Sequence, residues 1–180
     1  MIQARDLLDL GKKDLLAMLC TGHPIDPHAL DDKEYRGTSL GLPAWVERLT
    51  WKKFKKVFHR DRATGALRGW NVRLEQNELD GPCVPKQKRG RTVTFGHYRV
   101  VESASVRMPI ECPQALIIHY GLGNNARLDP VRRVRDPLVA LEAGSVQLLL
   151  GWSYVDLGLG LLGTPSFFSL ELDGELSDIV

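Results

Sequence analysis

GWNVRLE, residues 69–75, is the stretch on which the fold turns. Trp70, Val72 and Leu74 alternate with Asn71, Arg73 and Glu75. A period of two places one set of side chains on each face of a β-strand. Trp70 heads the apolar set, and the reading is that it points into the barrel and is buried there, where a large aromatic contributes most. On the upstream side KFKKVFHR (53–60) is also β-prone. It is joined to the first run by Asp61-Arg62-Ala63-Thr64-Gly65, a tight reversal in which Asp caps the turn and Gly takes positive φ. On the downstream side an irregular loop at 79–91 (LDGPCVPKQKRGR) leads to TVTFGHYRVV (92–101).

The same rhythm continues in both directions. Further strands are predicted at 34–42 (EYRGTSLGL), 115–121 (ALIIHYG), 132–141 (RRVRDPLVAL), 146–155 (VQLLLGWSYV) and 165–173 (PSFFSLELD). Pro43 opens a helical turn, AWVERLT, after the first of them. Pro137 cannot donate to a ladder, so a bulge or an edge is expected there. Residues 4–20, with Leu8, Leu15 and Leu19 at helical spacing, predict one helix or two short ones, stopped by Gly22 and Pro24. The 146–155 run is apolar on both faces, and that helix is the expected cover of its outer side. Eight strands with short links and no βαβ rhythm predict a mostly β fold. The expectation is a single domain: a helical and loop lead-in at 1–33, an eight-stranded up-and-down antiparallel barrel at 34–173 and a tail at 174–180. Closure removes the edges an open meander would carry; an open sandwich is the alternative.

The chain has 180 residues, 43% hydrophobic and 26% charged, the profile of an ordinary globular domain. Three cysteines at wide spacing give neither a disulfide framework nor a zinc site. The N-terminal residues contain no apolar run of signal or membrane-spanning length, so a cytoplasmic location with reduced thiols is expected. Net charge is +2 but uneven. The stretch 48–73 holds nine Lys or Arg against Asp61, whereas after Arg135 every charged residue is acidic. Within the basic stretch, Lys53 and Lys55 fall on one strand face and Phe54 and Phe58 on the other, so both lysines are expected at the surface and replaceable.

Tyr35-Arg36-Gly37-Thr38-Ser39-Leu40-Gly41 resembles the opening strand of the small bacterial lipocalin-like (calycin) domains named for a GXWXG motif, with Ser39 where that family has Trp. Thr21-Gly22-His23-Pro24 is similar to the family's TGHP segment, although here it precedes the glycine pair. Pro165-Ser166-Phe167-Phe168-Ser169-Leu170 is similar to its closing aromatic strand. The resemblance covers roughly residues 21–173. It implies a lipocalin-like barrel and no particular activity, and fold alone licenses no chemistry.

No nucleophile elbow, HExxH, P-loop or CxxC pair is present, and no metal or cofactor is expected. Eight strands leave an interior that side chains fill or that holds one small ligand. The leading expectation is therefore a non-enzymatic carrier or sensor for a small apolar molecule, with an anionic head group as an option. Candidate ligand-binding residues are Arg36, Phe58, His59, Arg68, Trp70, His97, Tyr98, His119, Tyr120 and Trp152. Trp70, Trp152, Phe58 and Phe168 would form apolar walls, and Arg36, Lys53, Lys55 and Arg68 a basic rim. Strand alternation suggests cross-strand His97–Tyr120 or Tyr98–His119 combinations, and His59, His97 and His119 would converge if all three pointed inward. The first alternative is an enzyme of lyase or isomerase type using His or Tyr as proton donor in the same pocket. The second is a nucleic-acid or protein interaction module acting through the basic hairpin. The low net charge sets the expectation of no nucleic-acid partner.

Overall fold

A computed structural model describes residues 2–41, 52–79 and 81–179. Eight long strands close into an antiparallel barrel. They are β1 (Lys33–Leu40), β2 (Lys53–Arg60), β3 (Leu67–Arg73), β6 (Thr94–Glu102), β7 (Leu116–His119), β8 (Val134–Ala140), β9 (Leu148–Asp156) and β10 (Leu161–Glu175). Each pairs with the next in that order, and β10 returns to β1, so no edge is left open. A small hairpin, β4 (Gln87–Lys88) and β5 (Arg91–Thr92), occupies the predicted loop between β3 and β6. Its two-residue turn places Arg89 and Gly90 both at positive φ, 54° and 74°, as the right-handed twist of a hairpin favours.

The predicted reversal at 61–65 is present. Asp61 accepts from the Ala63 N–H at 2.9 Å, and Gly65 has φ 70°. The helical turn expected for AWVERLT lies outside the described residues. Pro137 is a correction: it sits inside β8, opposite Ile117, with no register shift, and the ladder to β9 simply skips Asp136 and Pro137. A closed barrel offers no edge to put it on.

The N-terminal lead-in is a short 3-10 turn (Ala4–Leu7) followed by α1 (Lys12–Thr21). Leu7, Leu15 and Leu19 pack with Val139, Leu150, Trp152, Tyr154 and Phe167 on the outside of the barrel. This is the expected cover of β9, and it explains why β9 is apolar on both faces. Gly22 makes the approach possible, since a Cβ there would lie 2.4 Å from Val139 Cγ2. The next residue, His23, exchanges two backbone hydrogen bonds with Ala140, at 2.8 and 3.0 Å, which fixes the helix end to β8. No helix among the described residues is long and apolar enough to cross a membrane.

Candidate functional site

Alternation along β2 sends Phe54, Lys56 and Phe58 to one face and Lys53, Lys55, Val57 and His59 to the other. The first face is the interior. Lys56 therefore stands inside the barrel, fully buried. Its neighbours across the ladders are Tyr35 on β1 and Asn71 on β3. Its Nζ donates to Tyr120 Oη at 2.9 Å, and that hydroxyl donates onward to Asp136 Oδ2 at 2.9 Å. Lysine and carboxylate stand 3.9 Å apart, both buried. The rest of the ammonium's surroundings are aromatic, with the rings of Tyr98, Phe168, Tyr120 and Phe54 centred 4.8–5.7 Å away.

The rings fit because glycines face them. A Cβ on Gly37 would lie 2.4 Å from the Phe54 ring, and one on Gly151 would lie 2.2 Å from that of Phe168. At Gly69 it would meet the Val57 carbonyl oxygen at 2.0 Å and the Tyr98 ring at 2.5 Å. Tyr98 is further held by donating to that same carbonyl, at 2.7 Å. Asn71 donates to the carbonyl oxygen of Gly96 at 3.2 Å. Phe54 is only half-buried, so Lys56 lies one inward-facing position below the end of the barrel.

Burial dominates the electrostatics. It pushes the Lys56 ammonium down to about 8, against the pull of Asp136. It raises the Asp136 carboxyl, against Lys56. It raises Tyr98 and Tyr120 well above the ordinary phenol range, and the Asp136 charge adds to both. Tyr35 Oη and Asp136 Oδ1 are buried without a hydrogen bond, although Ser153 lies close enough to draw the carboxyl's pKa back down. Charged groups are rarely taken from water for packing alone, and a buried ionisable cluster with perturbed pKa values marks a candidate site.

Of the residues singled out in the sequence, Phe58, Tyr98, Tyr120 and Phe168 are together in this interior. The two tyrosine rings meet edge to face at 5.6 Å. The expected His–Tyr combinations do not form, because Arg99 pairs with His119 and Val100 with Ile118. That register puts His97 and His119 outside and both tyrosines inside.

Trp70 is the main reversal. It is buried, but outside the barrel, packed with Val57, Val72 and Leu176. Gly69 and Asn71 are the inward residues of β3. The C-terminal residues cover the outer face there, so an apolar set on that face is satisfied without pointing inward. Trp152 likewise lies outside, stacked on Phe167 at 6.1 Å under the α1 cover. His59 faces outward, its Nδ1 on Asp32, beside a groove lined by Asp61, Arg62, Leu176 and Ser177.

The basic rim is not a rim. Arg36 pairs with Asp173 at 3.1 Å, and Lys55 with Glu34 and Asp173 at 2.6 and 3.1 Å. Lys53 is buried and donates to the carbonyl oxygens of Glu78, Gly81 and Pro82, tying down the loop after β3. Arg68 lies on the outer wall of β3.

Lys56, Asp136, Tyr35 and Asn71 are the site residues sequence reasoning missed. For Lys56 the signal is present, since the alternation that sends Phe54 and Phe58 inward includes it. No group of three or more His, Cys, Asp or Glu is placed to hold a metal among the described residues. Compared with known proteins, the chain matches no family model and no curated protein.

Proposed function

We propose that the barrel binds a small, largely apolar molecule whose anionic or strongly accepting group docks on Lys56. The observation that carries this is the buried ammonium, which spends one hydrogen bond on a neutral phenol, has Asp136 at 3.9 Å beyond hydrogen-bond reach, and otherwise faces rings. An incoming carboxylate or similar acceptor would satisfy the donors those rings leave unmet, and the rings would enclose its apolar part. Phe54, half-buried at the end of the barrel, is the side chain that has to move.

The test is calorimetric titration with decanoate, backed by native mass spectrometry of freshly purified protein. Binding in the micromolar range that weakens at least tenfold in Lys56→Met, with cooperative unfolding retained, is the expected result. Equal binding by wild type and Lys56→Met, or none by either together with no co-purified molecule, overturns it. A second reading, acid–base catalysis, is favoured by a lysine near 8 hydrogen-bonded to a tyrosine. It requires turnover of a bound compound, which native mass spectrometry of the incubated complex would reveal.

A further inference from the structure

The outer wall carries a line of basic side chains, three arginines and a histidine, that the interior site does not use. Arg68 on β3 is the ladder partner of Arg99 on β6, Arg99 of His119 on β7, and His119 of Arg135 on β8. Four adjacent strands thus present basic side chains at consecutive paired positions, spanning roughly 14 Å at about 4.8 Å per strand. Arg68 and Arg99 stand directly opposite each other on neighbouring strands, a like-charge pair that is destabilising.

Neutralisation within the chain is slight. Arg99 is exposed and makes no ion pair among the described residues. The carboxylate nearest Arg68 is Asp61, at 3.9 Å from Nε. Arg135 donates to the carbonyl oxygens of Arg132 and Val134, at 2.7 and 2.8 Å, and so keeps its charge. Asp156 is the acid that bears on the far end of the row. His119, its pKa lowered by burial and by Arg135, accepts the Leu122 N–H on Nδ1 at 3.2 Å, so it stands in the row as a neutral ring with Nε2 as a donor. Exposed Arg133 adds a further cation beside the row.

We infer that this row is a binding surface for the phosphate backbone of single-stranded nucleic acid. Guanidinium forks match phosphate oxygens bidentately. The row follows four of the eight strands around a convex wall. A rigid duplex touches such a wall along a tangent, whereas a flexible single strand can follow its curve. The partly exposed rings of His97 and His119 beside the guanidinium groups supply stacking surfaces for bases. The low net charge of the chain does not oppose this, because exposed Arg99 and Arg133 have no ion pair among the described residues, whereas Glu34 and Asp173 are taken up by Lys55 and Arg36 on another part of the wall.

The test is fluorescence anisotropy with labelled 12-nucleotide oligo-dT and oligo-U, and with a 12-base-pair duplex, at two salt concentrations. The proteins are wild type, the row variant Arg68→Gln/Arg99→Gln, and the control Lys12→Gln/Lys13→Gln on exposed positions of α1. Single strands should bind better than duplex. The row variant should bind at least tenfold more weakly, with a log–log salt slope lower by about 1.4, and the control should match wild type. Arg99→Glu alone, at an exposed position, should weaken binding as well. No binding at low salt, equal binding by row variant and control, preference for duplex, or stronger competition by polyglutamate than by oligo-U each overturns the inference.

Discussion

Replacing Lys56 by Met and Asp136 by Asn together removes both charges from the barrel interior and leaves side chains of similar volume. The amide oxygen introduced by Asp136→Asn still accepts the Tyr120 hydroxyl, and Ser153, beside the carboxyl, is the acceptor open to the new NH2. Burial has pushed Lys56 from its ordinary 10.5 down to about 8. At about 1.4 kcal/mol per pH unit, keeping that lysine ionised at neutral pH costs the fold about 3 kcal/mol. Exchanging buried ion pairs for neutral side chains gains about 1–4 kcal/mol, which agrees. A lysine whose folded pKa lies below its unfolded value leaves the unfolded chain with more bound protons between about 8 and 10.5. Wild-type stability therefore rises with pH through that window, by up to about 1.4 kcal/mol per unit, and the double variant lacks the rise. Tyr98 and Tyr120, raised in the fold, act in the same direction in both proteins only above about pH 10, where their unfolded forms lose protons that the folded forms keep, and there they lower stability. Urea unfolding followed by tryptophan fluorescence between pH 7 and 9.5 reads the effect. The variant should be at least as stable as wild type at pH 7, and the gap should close by about 1–2 kcal/mol by pH 9.5. Parallel pH profiles, or a loss of more than about 3 kcal/mol in the variant at pH 7, would refute the reasoning.

Gly69→Ala should cost about 3 kcal/mol or more, because the new methyl group meets the Val57 carbonyl oxygen at 2.0 Å, backbone that cannot give way; a cost under about 1 kcal/mol in denaturant titration would contradict the close packing. Trp70→Ala should cost about 3–5 kcal/mol even though Trp70 lies outside the barrel, since it is 1% exposed beneath Leu176. Lys53→Gln should cost about 1–3 kcal/mol and speed proteolysis near residues 78–82, whereas a neutral outcome would mean the three carbonyls do not depend on Nζ. Burial pushes the Cys112 thiol up to about 11, so native protein at pH 8 should show it reacting with a disulfide reagent far more slowly than Cys83. Equal rates would place Cys112 at the surface.

Strand number, order and closure are legible in the sequence because each depends on local alternation and turn chemistry. GWNVRLE and KFKKVFHR both read as strands and both are strands. Which face of each is inside is a different kind of fact. For β2 the aromatic face is the inner one, and Phe54 and Phe58 suffice to orient it. For β3 both faces are buried, the outer one by Leu176 and the inner one by the Tyr98 and Tyr120 rings that fill the space above Gly69 and Gly96. Alternation cannot rank two buried faces. Size alone sends Trp70 inward, although Gly69 and Asn71 are what the crowded interior admits. The surface reading of Lys53 fails because its partners are backbone carbonyls of a loop 25 to 29 residues on, which leave no trace in side-chain pattern. Lys56 is readable by its place in the alternation and hidden by its residue type, since a lysine is ordinarily assigned to water.

The interior site and the outer row occupy opposite faces of the same ladders, and that separates their tests. Arg135 points outward and its neighbour Asp136 inward; His119 points outward and Tyr120 inward. Consecutive residues on a strand do not share an environment, so the charge of Arg135 reaches Asp136 only as a weak pull on its pKa, smaller than the effects of burial and Lys56. Lys56→Met should therefore leave oligonucleotide anisotropy unchanged, and Arg68→Gln/Arg99→Gln should leave decanoate titration unchanged. Loss of both activities in either variant would mean the substitution had disturbed the barrel and not one face of it. A coupled change with unfolding still cooperative would mean that ligand inside and polyanion outside report on one conformational equilibrium of the wall between them.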